Sequence, residues 1–166
     1  MSTESSKCCY EKVVDDRYGL ISGKDKLVFI KVGTDGTIYG YHNKYLEIAL
    51  EINRVTGFAV AVSSNKWDLL DYLEEEICNV YDELGIVKDI IYIGISDGGA
   101  IGAIEAYTVP FISRMLLINV PLEFNLEDVQ EGMKQYKGKA RFVYGTKDED
   151  YELAKKEIPA LGVNIE

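Results

Sequence analysis

Ile90-Ile91-Tyr92-Ile93-Gly94-Ile95-Ser96-Asp97-Gly98-Gly99-Ala100 joins an apolar run of strand character to small residues of helix character through Gly-x-Ser-x-Gly. A strand that hands over to a helix this abruptly needs a tight turn. Gly94 and Gly98 let the backbone close around Ser96 without Cβ clashes. The Ser96 hydroxyl is then expected at a helix N-terminus, where free N–H groups and the helix dipole favour a developing anion.

Working outward, the chain reads as strands alternating with helices. Tyr10 to Val14 and Tyr18 to Ser22 form an expected hairpin about Asp15-Asp16, and Leu27 to Val32 is a strongly apolar strand. Asn43 to Val55 has helical spacing, with Tyr45, Ile48, Ala49, Ile52 and Val55 on one face, and Gly57 stops it. Phe58 to Val62 is the next strand. A helix over about 66–84 follows, with Asn65 as N-cap, Gly85 at its end and Leu70, Leu73, Ile77, Val80, Tyr81 and Leu84 as its apolar stripe. Glu74-Glu75-Glu76 is placed on its solvated side, and Cys78 is expected to be packed or half-packed.

Beyond the central stretch, a helix over about 97–107, a strand over Met115 to Val120, a helix over Asn125 to about Tyr136 and a strand over Ala140 to Tyr144 follow. Tyr151 to Leu161 is mostly helical, and a last strand begins at Gly162. A hairpin followed by this alternation implies an α/β fold: three layers, a mostly parallel sheet with helices on both faces. Residues 1–9 are expected to be a flexible segment and 10–166 a single domain. Function in such sheets collects at the carboxyl ends of the strands, here the loops beginning at Gly33, Ser63, Gly94 and Gly145.

The composition excludes several classes. At 166 residues, with 47% hydrophobic and 28% charged residues, the chain can bury a core without disulfides. A net charge of −10 argues against nucleic acid or an anionic membrane as partner. Cys8, Cys9 and Cys78 form no metal-ligand pattern, so neither a metal nor another cofactor is expected. Residues 1–7 are polar, unlike a signal peptide, and no stretch has the length of a membrane span, so the expectation is a cytoplasmic protein. Gly94, Gly98, Gly99 and Gly102 also have a loosely dinucleotide-binding spacing. That turn normally follows the first strand of its unit, whereas three strand–loop elements precede this one, and no acidic residue ends the next strand.

These features together resemble the α/β-hydrolase-fold family, over roughly residues 10–166. The residues that carry the likeness are Gly94-Ile95-Ser96-Asp97-Gly98-Gly99, Gly145-Thr146-Lys147-Asp148 and Val32-Gly33-Thr34-Asp35-Gly36. The resemblance implies that Ser96 is a nucleophile and Asp148 the acid, chosen over Glu149 and Asp150 by the Gly-x-x-Asp register. It implies oxyanion donors at the Asp97 N–H and at Thr34 or Asp35. The reaction implied is hydrolysis of a small carboxylic ester, thioester or amide by a small enzyme without a large lid. Tyr39 and Tyr41 stand where they could wall a pocket.

The departure from the family is its base. The family's histidine follows the acid, but no histidine lies between Asp148 and Glu166, and His42 is the only one in the sequence. Three readings stay open: a C-terminally shortened form, an inactive relative that binds a ligand, and His42 as a base acting from an unusual direction. A strand ending at Glu166 would leave an edge and an uncovered sheet face, so a homodimer or a tendency to aggregate is expected.

Overall fold

The hairpin at the N-terminus opens the sheet in the computed structural model, which describes residues 8–65, 72–162, 164 and 165. β1 (Lys12–Val14) and β2 (Tyr18–Ile21) are antiparallel, with Val14 opposite Tyr18, and positive φ at Asp15 and Asp16 makes the turn. β3 (Leu27–Lys31), α1 (Lys44–Thr56), β4 (Ala59–Ser63), α2 (Leu73–Leu84), β5 (Ile90–Ile95) and α3 (Asp97–Glu105) follow. β6 (Ile112–Ile118), α4 (Leu126–Gln135), β7 (Lys139–Val143), α5 (Tyr151–Glu157) and β8 (Asn164–Ile165) complete the order. The strands lie side by side as β1-β2-β4-β3-β5-β6-β7-β8. β2 is antiparallel to β4, and every pairing from β4 to β8 is parallel.

Alternation along the strands builds two cores. Leu27 and Phe29 of β3, Tyr92 of β5, Leu117 of β6 and Phe142 of β7 point to one face, where α2, α3, α4 and α5 pack. Val28, Ile30 and Val32 point to the other, against Tyr45, Leu46 and Ala49 of α1. On that second face Ile91, Ile93, Ile95, Leu116, Ile118 and Val143 are only half-buried. No helix among the described residues is long and apolar enough to cross a membrane.

The expected elements are present among the described residues, with corrections to their bounds and faces. β6 begins at Ile112, three residues ahead of Met115, the expected start. α2 begins at Leu73, where the Glu75 carboxylate accepts the Tyr72 N–H at 3.2 Å and the Glu105 carboxylate accepts the Leu73 N–H at 2.7 Å. Asn65 is not its cap: its N–H donates to Gly36 O at 3.0 Å. The expected helical residues 66–71, Trp67 and Leu70 among them, lie outside the described residues, as do residues 1–7 of the expected flexible segment. Glu74 and Glu75 are exposed, but Glu76 is 1% exposed, because it shares the spacing of Leu73, Ile77 and Val80 on the inward face. Cys78 is exposed.

Candidate active site

The turn at the end of β5 is built by close backbone approach. Ser96 has φ 54° and ψ −123°, an unusual conformation for a residue with a side chain. Its carbonyl accepts the N–H groups of Gly99 at 2.8 Å and Ala100 at 3.1 Å, and its N–H donates to Ile118 O at 2.8 Å. The first turn of α3 and the neighbouring strand thus hold the backbone in place. A Cβ on Gly94 would stand 2.5 Å from Gly98 O, and one on Gly98 would stand 2.2 Å from Lys31 O. Only glycine allows α3 to lie this close to β5 and β3. The Tyr92 hydroxyl donates to Gly98 O at 2.5 Å from beneath, and burial holds that phenol's pKa well above its ordinary value.

The loop after β3 meets this turn. Gly33 lies against Ser96: a Cβ there would be 3.1 Å from Ser96 Cβ and 3.6 Å from Ser96 Oγ. The Gly36 N–H donates to Gly33 O at 2.9 Å, which makes Thr34 and Asp35 the corners of a tight turn, with Asp35 at φ 55°. Both corners are exposed, and among the described residues neither N–H makes a backbone hydrogen bond. Asp97 opens α3, so its N–H is one of the first four of that helix and has no intrahelical carbonyl. Ser96 is half-buried and Thr34 and Asp35 are exposed, so the junction between the two loops reaches solvent.

Asp148 lies on the loop after β7. Its Oδ1 accepts the Asp150 N–H at 3.0 Å, and it is half-buried. Asp150 is the buried member of the acidic run, and its Oδ1 accepts the Glu123 N–H at 3.0 Å. Asn119, with φ 50°, ties this loop to β6: its N–H donates to Val143 O at 2.8 Å and its Oδ1 accepts the Gly145 N–H at 2.9 Å. Burial, with the Asp150 and Asp148 carboxylates adding to it, pushes the Tyr144 phenol up.

His42 occupies a short 3₁₀ turn, Tyr41–Asn43, with φ 50°. It is exposed, and its ring packs edge-on against Tyr41 with centroids 4.0 Å apart. Among the described residues no hydrogen bond joins His42 to Ser96 or Asp148, or Asp148 to Ser96. The structure therefore brings Ser96 and the Gly33–Gly36 loop into contact, and leaves Asp148 and His42 on separate loops. Tyr41 is largely exposed, and Tyr39 stacks at a tilt on Tyr10 with ring centroids 5.7 Å apart.

Sequence reading missed the polar group beneath these loops. Lys31, the last residue of β3, is buried and ion-paired with Glu76 at 2.7 Å. The inward spacing of Glu76 along α2, and a lysine closing an apolar strand, were the signals.

No family model matches the chain, and no curated protein matches it significantly. Solved structures do. Est1E from Butyrivibrio proteoclasticus superposes with a TM-score of 0.64 at 15% identity, over 87% of this chain and 77% of that one. Alpha/beta hydrolase domain-containing protein 10 from mouse gives 0.60 at 14% identity, over 90% and 81%. Esterase B from Lactobacillus rhamnosis gives 0.56 at 12% identity, over 95% and 70%. At these identities the likeness is one of fold, and it agrees with the strand order, the antiparallel β2 and the helices on both faces. The chain has the α/β-hydrolase fold.

Proposed function

We propose that the chain is a serine-dependent hydrolase acting on a small carboxylic ester, thioester or amide, with Ser96 as nucleophile. The observation that carries this reading is the Ser96 backbone. A serine held at φ 54° between a strand and a helix, with a second loop packed on its side chain, is costly unless its hydroxyl must be presented. Ser96 Oγ attacks the carbonyl carbon as its proton passes to a base. The N–H of Asp97 and that of Thr34 or Asp35 receive the oxyanion, and each such donor contributes about 10²–10³ in rate. The tetrahedral adduct expels alcohol, thiol or amine, which takes up the proton, and water then releases the acid from Ser96. Asp148 is the candidate acid for orienting the base, and His42, the one histidine of the sequence, is the candidate base, carried on a separate loop.

The similar solved structures include proteins named as esterases, which supports an ester as the substrate. The exposed, unconnected His42 favours a second reading: a non-catalytic module that binds a small carboxylate or phosphate at the same junction. Turnover of p-nitrophenyl acetate and butyrate separates the two. The hydrolase reading expects turnover that Ser96→Ala abolishes, with His42→Ala reducing it if His42 is the base. The binding reading expects no turnover but a rise in melting temperature with small anions.

A further inference from the structure

Beneath the proposed oxyanion loop lies a buried polar group that the reaction scheme does not use. Lys31 Nζ donates to Glu76 Oε1 at 2.7 Å, Ser64 O at 2.7 Å and Ser63 Oγ at 3.0 Å. The Ser63 hydroxyl also donates to Glu76 Oε1, at 2.9 Å. The side chains of Lys31 and Glu76 are only 4% and 2% exposed. Arg17, from the turn between β1 and β2, approaches Glu76 Oε1 at 3.5 Å.

A buried ion pair is a poor way to gain stability. Desolvating both charges offsets most of their attraction, and apolar replacements of similar volume are often neutral or stabilising. The pair therefore calls for another explanation, and its neighbours supply one. The carbonyl of Lys31 lies directly under Gly98 in the first turn of α3. Its side chain grips the exit of β4, and the exit of β4 grips the Gly33–Gly36 loop at both ends. The Val32 N–H donates to Ser63 O at 3.2 Å, and the Asn65 N–H donates to Gly36 O at 3.0 Å. One residue thus touches the turn that presents Ser96 and the strand end that carries the loop beside it. A charged anchor also has direction: Nζ must meet Glu76 Oε1, Ser64 O and Ser63 Oγ, whereas an apolar side chain could settle at several heights along β4.

We propose that Lys31 and Glu76 are positioning residues: the buried pair fixes the Gly33–Gly36 loop at one height relative to Ser96. The catalytic consequence rests on the reading of Ser96 as nucleophile; the locking of the loop does not. A loop displaced by a fraction of an ångström would move an N–H donor off the developing oxyanion while leaving substrate access unchanged.

The test is the double substitution Lys31→Met with Glu76→Leu in the full chain, which removes both charges of the pair together, measured beside Arg17→Met, which reports what the third charge near Glu76 contributes. Its melting temperature is expected within about 5 °C of wild type or above it. Hydrogen exchange at Gly36 and Asn65 is expected to speed up by about tenfold or more, with Phe29 and Ile30 unchanged. In wild type that hydrolyses p-nitrophenyl acetate, the variant's kcat falls by about tenfold or more with KM unchanged. Unchanged exchange at Gly36 and Asn65 overturns the proposal whatever the activity. A variant that fails to fold also overturns it, since the pair would then be serving stability. Faster exchange beside a wild type without turnover upholds the locked loop and defeats the hydrolase reading alone.

Discussion

Gly33 packs against Ser96 so closely that a Cβ on the glycine would stand 3.1 Å from the serine Cβ. That contact joins the loop after β3 to the turn after β5, and it is tight without being impossible. Gly33→Ala is therefore expected to fold, with Ser96 or its loop shifting by a few tenths of an ångström. The reactivity of Ser96 towards a phosphonate ester should fall by about tenfold, read as a second-order labelling rate against an unchanged melting temperature.

Gly98 has no such latitude. Its added Cβ would meet the carbonyl oxygens of Lys31 at 2.2 Å and Val32 at 2.6 Å, both fixed in or beside a central strand. Gly98→Ala should destabilise by about 3 kcal/mol. Gly145 has open space around it and no positive φ, so Gly145→Ala should be neutral or stabilise by about 0.5 kcal/mol. Urea unfolding of the two variants checks the contrast.

The tyrosines set an alkaline limit. Burial pushes the phenols of Tyr81 and Tyr136 up to about 12, and raises those of Tyr10, Tyr92 and Tyr144 as well. In the unfolded chain they ionise near 10. Above that pH the unfolded state binds fewer protons than the folded one, so stability falls as pH rises. This contribution is fully present below about pH 10 and is lost between there and the raised folded values. The urea midpoint should hold steady from pH 8 to about 9.5 and drop steeply by about 11; a midpoint that rose over that range would contradict the burial of these hydroxyls.

Asp148 and Asp150 differ in burial and in what they hold. Asp150 is buried and accepts a backbone N–H from Glu123, so Asp150→Ala should cost about 1–2 kcal/mol of stability. Asp148 is half-buried, and Asp148→Asn keeps the shape of the side chain that accepts the Asp150 N–H. That variant should fold normally and lose about 10²-fold or more in ester hydrolysis. Denaturation and turnover measured on both variants separate the two roles.

The sheet was legible because its signals are periodic. β3 and β5 are apolar runs that can only be central parallel strands, and glycines at 94 and 98 mark where α3 must lie on them. Ser96 was legible for the same reason, since the turn it occupies needs those glycines. The Lys31–Glu76 pair was hidden because charge usually means solvent. Its evidence lay in spacing: Glu76 falls between Leu73 and Ile77 on the face of α2 that packs inward, and Lys31 follows Leu27 and Phe29 onto the same side of β3. The exposed setting of His42 was not legible, because the path of the chain from Thr37 to Asn43 turns on three residues of positive φ, Gly40, His42 and Asn43, that no periodicity announces.

The central claim is that Ser96 is an activated nucleophile, and covalent labelling tests it most directly. The intact protein is incubated with a fluorophosphonate probe and the adduct is located by mass spectrometry. Stoichiometric addition at Ser96 is expected, absent in Ser96→Ala and blocked by prior unfolding. Equal labelling of wild type and Ser96→Ala, or none in either, would contradict it.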